Sequence, residues 1–291
     1  AAPVASQEPK GRLSCFLPLP DSTMYPVWLH GWFAVDSARR GLARINEVDE
    51  LIQQRVQWNV MLMRHAVGPA WAQLLVQFRG AASTQSDPYE KFPNEPGQQD
   101  EIERALWEGF YAAASTLPLF RGRGKQHSWG KPDTLHWNIP ATSYNQLEGP
   151  LRASGCVIAA PTLNAQVEKG LTRVKTPVRS LTPKALREHL ENICKGLTVE
   201  CPLADAPNPM LAQREWIIAL ARFCAQDGLD NLMGLPLALC SDGKLRRFDP
   251  ARPIWIAGET QRSVLAPLPD RQLDPDLVTT VFKGQPAPKA G

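Results

Sequence analysis

Proline is the residue that most limits what this chain can fold into. It occupies 27 of the 291 positions, about twice its average share of roughly 5%. Because proline fixes φ and removes a backbone hydrogen-bond donor, this density excludes long uninterrupted helices and coiled coils. It favours short elements joined by rigid turns, and the presence of both helical and strand patterns predicts an α+β fold with short mixed sheets.

The rest of the composition is that of a globular protein. Hydrophobic residues make up 43% of the chain and charged residues 21%, which is enough apolar material for a buried core. The 32 basic residues are balanced by 29 acidic ones, and this balance argues against a nucleic-acid partner. No apolar stretch approaches the roughly 20 residues that cross a bilayer, so we expect no membrane partner either.

Cysteine usage indicates a reducing compartment. The six cysteines include no Cys-x-x-Cys pair, and several lie in apolar runs where a thiol behaves as a small hydrophobic group. We therefore expect free thiols in a cytoplasmic protein.

Changes in composition predict how the chain is divided. The predicted segments are a linker over 1–10, a strand pair with helices over 11–82, a polar connector over 83–99, a first helix and hairpin unit over 100–212, a second such unit over 213–282, and a disordered tail over 283–291.

The first of these units begins with two apolar runs, residues 12–20 and 26–35, which predict an antiparallel strand pair. Asn46 or Asp49 can then cap a helix whose apolar residues recur at helical spacing. We expect Pro69 to divide that helix into two pieces.

A later helix has clear start and stop signals. Thr182 is a good N-cap, Pro183 suits the first helical position, and Gly196 follows the last apolar residue. The sequence therefore predicts a helix between them.

Tryptophan is abundant, with nine residues. Most lie within apolar patterns and are predicted to anchor the core. These are Trp28, Trp32, Trp58, Trp71, Trp107, Trp137 and Trp255.

One pattern occurs twice. Residues 117–140 read LPLFRGRGKQHSWGKPDTLHWNIP, and 118 positions later residues 235–258 read LPLALCSDGKLRRFDPARPIWIAG, which places Trp137 opposite Trp255. Each copy predicts a strand, a tight turn and a returning strand that ends in a tryptophan-centred strand. A helix precedes each, so we interpret the pair as a duplicated unit, although two copies are too few for a solenoid.

Basic residues supply the candidate binding sites. Arg39 and Arg40 follow the second apolar run, and an adjacent arginine pair suits phosphate or carboxylate, the alternative being a solvated helix start. The two predicted hairpin turns are candidate interaction surfaces, and the first could bind an acidic ligand. Their residues are Arg121, Arg123 and Lys125 in one copy and Asp242, Gly243 and Lys244 in the other.

Catalytic and metal chemistry have little support in the sequence. A thiol hydrolase would need Cys156 or Cys240 to meet His127 or His136 through folding, which stays open as an alternative. Structural zinc needs four convergent ligands, and the nearest approach to that pattern is His189, Cys194 and Cys201. We therefore expect no metal, no cofactor and no enzyme activity in this chain.

Several segments resemble the sacsin family. The most specific is CFLPLPDSTMYPVWLHGWFAVDSARRGL at 15–42, and others are WNVMLMRHAVGPAWAQLL at 58–75, LTPK at 181–184 and GLPLALCSDGKLRRF at 234–248. Together these matches are spread over most of the chain. Trp71 replaces the tyrosine that is usual in this family.

The resemblance implies a role outside catalysis. In that family such a region follows an ATPase domain of the heat-shock-ninety type, so ATP and magnesium are expected only in an adjacent domain. The Asp-x-Gly-x-Gly turn that such a domain uses for adenine is absent here. The implied function is a scaffold module of a chaperone-like protein that contacts the ATPase domain and client proteins, with Arg39 and Arg40 as candidates to sense the terminal phosphate.

Overall fold

The computed structural model confirms an α+β fold of short helices and small sheets. It describes residues 11–23, 25, 27–44, 50–79, 89–97, 100–123, 128–135, 137–195, 200–206, 208–257 and 259–282. The predicted linker at 1–10, the predicted tail at 283–291 and part of the predicted connector lie outside these residues. Within them, no helix combines the length and the apolar character needed to cross a membrane.

The chain forms two compact units. The first unit comprises Ala1–Leu135 and Ala159–Val178, and the second comprises His136–Ile158 and Arg179–Gly291. A segment beyond the first hairpin, residues 159–178, belongs to the first unit, and the boundaries near 83–99 and 212 stay predictions.

The first unit begins with a sheet whose order is β2-β1-β3. Strand β1 (Gly11–Cys15) is antiparallel to β2 (Leu17–Thr23) and parallel to β3 (Leu29–His30). The predicted antiparallel pairing of 12–20 with 26–35 is therefore wrong. The chain reverses inside the first run because Phe16 adopts a left-handed conformation, with φ of 63°.

The helices of the first unit pack closely against one another. Helix α1 (Glu50–Leu62) continues through a π-helical turn (Met63–Val67) into α2 (Gly68–Phe78), so the predicted division falls just before Pro69. Helix α3 (Glu101–Ala114) crosses this turn. A Cβ on Gly109 would lie 2.2 Å from the carbonyl oxygen of Arg64, so only glycine permits this crossing.

The core of the first unit is aromatic. The ring of Phe110 is 5.1 Å from that of Phe92, 5.2 Å from that of Trp71 and 5.3 Å from that of Tyr111. Helix α5 (Ala165–Arg173) completes this unit, and a Cβ on its Gly170 would lie 2.4 Å from the Tyr111 ring.

A second sheet, ordered β5-β4-β6, follows α3. Its strands are β4 (Phe120–Arg123), β5 (Ser128–Gly130) and β6 (Ile158–Ala159), the last at the point where the chain passes between units.

The second unit has its own core around α6 and α7. Its helices are α4 (Tyr144–Ala153), α6 (Pro183–Ile193), α7 (Arg214–Cys224), α8 (Glu259–Val264) and α9 (Pro275–Val281). Its sheet has the order β7-β9-β8, with β7 at Glu200–Pro202, β8 at Ala238–Leu239 and β9 at Lys244–Arg246. The side chains of Leu186 and Leu220 are fully buried between these elements.

The two similar sequence segments contain the same order of elements. In each, a helix is followed by an antiparallel hairpin and then by a tryptophan in an isolated parallel bridge, Trp137 with Ile158 and Trp255 with Gln272.

Candidate functional site: a cationic cavity beside exposed aromatic residues

A tight loop follows β3 and presents the predicted arginine pair. Val35 and Leu42 form an antiparallel bridge across it. The carboxylate of Asp36 accepts a hydrogen bond from the amide of Arg40 at 2.8 Å, and Arg39 lies between them with φ of 53°. Arg39 therefore takes the left-handed conformation within this turn.

Asn59 attaches this loop to α1. Its side chain is fully buried. Its Oδ1 accepts from the amide of Ala34 at 2.8 Å, and its Nδ2 donates to the carbonyl of Ala34 at 2.8 Å and, at 3.5 Å, to that of Ala43. The two ends of the loop are therefore held on one helix. This role was not predicted from the sequence, where its one signal is a polar residue on an apolar helical face.

A cavity of about 440 Å³ lies between this loop and α1. We call it the cationic cavity, and its lining residues are Val35, Asp36, Ser37, Arg40, Gly41, Leu42, Ala43, Arg44, Ile52 and Arg55.

The charge of the cationic cavity suits an anion. Its lining contains three arginines, Arg40, Arg44 and Arg55, but a single carboxylate, that of Asp36. Arg44 also forms an ion pair at 3.0 Å with Asp100, the residue that caps α3. Guanidinium groups bind phosphate and carboxylate in a bidentate manner. Of the predicted pair, only Arg40 lines the cavity. Arg55 also lines it, and it was not predicted because it lies far from the pair in the sequence.

Three exposed aromatic side chains, one of them from α1, contact one another. We define the aromatic surface as Phe16, Trp32 and Trp58. The Phe16 and Trp32 rings meet edge to face at 5.0 Å, and the Trp58 indole N–H donates to the carbonyl of Trp32 at 2.8 Å. Trp58 is three residues beyond Arg55, so α1 contributes to both the cavity and the aromatic surface.

The aromatic surface corrects the sequence-based assignment of tryptophans to the core. Trp32 is 73% exposed and Trp58 is 51% exposed, whereas a core role would require burial. Trp28 and Trp255 are also exposed, and only Trp71, Trp107 and Trp137 of the predicted set are buried. An apolar sequence pattern does not reveal whether its face is covered by another element, which explains the error.

The first predicted hairpin turn is partly tied into the fold. The Arg121 guanidinium donates to the carbonyl of Ala160 at 2.7 Å, while Arg123 is exposed at the end of β4. Lys125 lies outside the described residues.

The second predicted turn forms an ionic cluster. Asp242 accepts two hydrogen bonds from Arg246 at 2.7 and 2.8 Å, Arg246 also binds Glu200, and Lys244 pairs with Glu200 at 3.1 Å. Gly243 has φ of 76°, a conformation that favours glycine at this turn. Burial acts to raise the pKa of Asp242, but the hydrogen bonds from Arg246 and from the Lys244 amide lower it overall. These charges are therefore largely satisfied within the sheet.

All six cysteines are free thiols, and four of them are buried. Burial raises the thiol pKa of Cys194 to about 11, of Cys224 to about 12 and of Cys240 to about 11, and it also raises that of Cys201. Among the residues that the structure describes, no three His, Cys, Asp or Glu side chains are grouped to hold a metal ion.

The hydrolase alternative placed a thiol beside His127 or His136, which both lie outside the described residues. Cys240 is buried, but Cys156 meets a different histidine. The Sγ atom of Cys156 is 3.8 Å from Nε2 of His189. The two residues are 33 positions apart, so spacing in the sequence gave no signal for this pair.

Comparison with known proteins relates part of the chain to human sacsin. A region of 77 residues, 26% of this chain, is 42% identical to that protein and covers 2% of its length. No family model matches the chain. A search of solved structures found no match. The chain therefore contains a sacsin-related region and spans only a small fraction of that relative.

Proposed function

We propose that this chain is a non-catalytic interaction module of a larger sacsin-like protein, and that it docks on a neighbouring ATPase domain. The observation that carries the proposal is that α1 supplies Arg55 to the cationic cavity and, one turn later, Trp58 to the aromatic surface. The partial match to human sacsin supports the larger context. Cytoplasmic location and chaperone-like action on client proteins belong to the same proposal.

The cationic cavity would receive negative charge from the docked partner. Three guanidinium groups in one cavity stabilise a phosphate group or a carboxylate better than one exposed lysine or arginine does. ATP and magnesium would be held by the neighbouring domain, and Arg40 would reach the terminal phosphate. Loss of that phosphate would weaken the contact, so nucleotide state and docking would be coupled.

The aromatic surface would supply docking affinity. Exposed aromatic side chains that form a contiguous patch are typical of protein interaction sites. Tryptophan is also over-represented among the residues that dominate binding energy. Trp32 and Trp58 support each other through the indole hydrogen bond, so they would meet a partner as one preformed surface.

The proposal is tested in the longer protein that contains both this chain and its ATPase domain. Arg40→Ala should lower the ATPase rate by about 10-fold or more, because a preorganised charged donor to the reacting phosphate is lost. Arg39→Ala is the matched control, since Arg39 does not line the cavity, and its rate should stay within about 2-fold. Equal rates for Arg40→Ala and the unsubstituted protein would remove the phosphate-sensing role.

A second candidate function is an anion-binding module that acts without an ATPase domain, and the three arginines of the cavity favour it. Titration of the chain with inorganic tripolyphosphate separates the two functions. A docking module should bind this probe negligibly by itself. An independent module should bind it in a salt-dependent manner, with loss of binding in Arg55→Ala and retention in Arg39→Ala.

A further inference from the structure

The second unit holds a cysteine in an unusual environment. Cys156 follows the end of α4, where Gly155 takes φ of 84° and the Cys156 amide donates to the carbonyl of Leu151 at 3.1 Å. This turn fixes the position of the thiol. Cys156 and His189 are both half-buried, so small molecules can reach the pair.

Three polar groups surround the sulfur atom. The indole N–H of the buried Trp137 donates to Sγ at 3.1 Å, and Nε2 of His189 lies 3.8 Å away. The ring of His189 rests edge to face on Trp137 with centroids 5.5 Å apart, which limits its rotation. The thiol therefore lies beside a ring nitrogen that can take its proton.

The Ser154 oxygen can accept a hydrogen bond from the Cys156 thiol when that thiol is neutral. Its hydroxyl donates to the carbonyl of Leu151 at 2.7 Å, so its oxygen, 3.2 Å from Sγ, is left to accept from the S–H group. When the proton moves to Nε2 of His189, Trp137 and His189 both donate to the sulfur.

Cys15 is a natural comparison within the same chain. It is also half-buried, but its S–H donates to the carbonyl of Phe33 at 3.4 Å. Cys15 therefore contacts a backbone carbonyl, whereas Cys156 has the ring nitrogen of His189 beside it.

We propose that Cys156 is a modification site that exchanges with small disulfides such as glutathione disulfide, with His189 as the residue that takes its proton. The Cys156 thiolate attacks one sulfur of the disulfide, a new S–S bond forms while the original one breaks, and the released thiolate takes the proton from His189. The products are a mixed disulfide on Cys156 and one free thiol. This reaction goes beyond the proposed docking function and uses residues that the docking site does not contain.

The test uses the whole chain, glutathione disulfide at neutral pH and mass spectrometry of each cysteine over time. Cys156 should form the mixed disulfide about 10-fold faster than Cys15. This comparison needs no variant, and equal rates or a faster Cys15 would overturn the proposal.

His189→Gln tests the role of the histidine. The rate at Cys156 should fall about 10-fold, while the rate at Cys15 should not change. The buried Cys224 reports on folding in the same sample, because it reacts only if the variant has opened. An unchanged Cys156 rate in a variant whose Cys224 stays protected would show that His189 has no part in the reaction.

Discussion

Asn59 is the residue on which the candidate docking site depends most. It satisfies both backbone polar groups of Ala34 from a fully buried position. Asn59→Ala should therefore lower the free energy of unfolding by about 1–3 kcal/mol, since the Ala34 amide loses its acceptor while the Ala34 carbonyl keeps only the Ala43 amide as donor. Urea denaturation followed by circular dichroism measures this change. Gln57→Ala, at an exposed position of the same helix, is the control, and equal losses in both variants would contradict the assigned role.

Single residues show how far the sequence could lead. The arginine pair was visible as a motif, but only the folded structure shows that Arg40 lines the cavity and Arg39 does not. Arg55 joins Arg40 only when α1 packs beside the loop. His189 likewise meets Cys156 through tertiary structure alone. Residue type can thus indicate anion binding, whereas the membership of a site depends on contacts distant in sequence.

At the scale of elements, the crossing of α3 over the π-helical turn is set by one glycine. Gly109→Ala places a Cβ against the backbone of Arg64, which cannot move aside as a flexible side chain could. We expect a loss of about 3 kcal/mol in the free energy of unfolding. Gly97→Ala is the matched control, since nothing lies within 4 Å of a Cβ there. Urea denaturation of both variants decides the point, and a tolerated Gly109→Ala would show that the helices can separate at small cost.

The ionic cluster on β9 gives a pH dependence with a definite sign. The folded pKa of Asp242 lies below its ordinary value of 3.8, because hydrogen bonds from Arg246 and Lys244 outweigh the opposing effect of burial. A lowered carboxyl pKa contributes stability above pH 3.8 that is lost as the pH falls through the folded pKa.

Asp242→Asn should therefore be less stable than the unsubstituted protein at pH 7, by about 2 kcal/mol. The difference in stability between the variant and the unsubstituted protein should narrow below pH 3.8. Thermal unfolding midpoints measured from pH 7 to pH 2.5 check this expectation. A gap that stays constant over that range would mean that the charge of Asp242 does not contribute.

Elements with local signals were predictable and those with tertiary causes were not. Helix α6 begins as its sequence predicts, with the Thr182 hydroxyl accepting from the amide of Ala185. The reversal at Phe16 had no such signal, because a left-handed phenylalanine is held by the surrounding sheet and is not favoured by its own residue type. Strand pairing in the first sheet was misjudged for this reason.

At the scale of the whole molecule, the division into two units depends on residues 159–178, which rejoin the first unit. No local sequence pattern predicts this. Helix α5 belongs to the first unit because Gly170 permits contact with the Tyr111 ring. The sequence predicts domain boundaries at polar connectors. Such a prediction assumes that each unit is formed by one continuous segment of the chain. Here α5 contacts α3, although residues 136–158, which belong to the second unit, separate the two helices in sequence.

Because each unit has its own core, core substitutions should act on the unit that contains them. Gly109→Ala lies in the first unit, and Leu186→Ala removes a fully buried side chain from the second, at a cost of about 2–5 kcal/mol. Differential scanning calorimetry should show two unfolding transitions, each lowered in temperature by only one of the two variants. A single transition lowered by both would mean that the chain unfolds as one cooperative body. Two independent transitions would instead allow the unit that carries the docking site to respond to a partner while the unit that carries Cys156 stays folded.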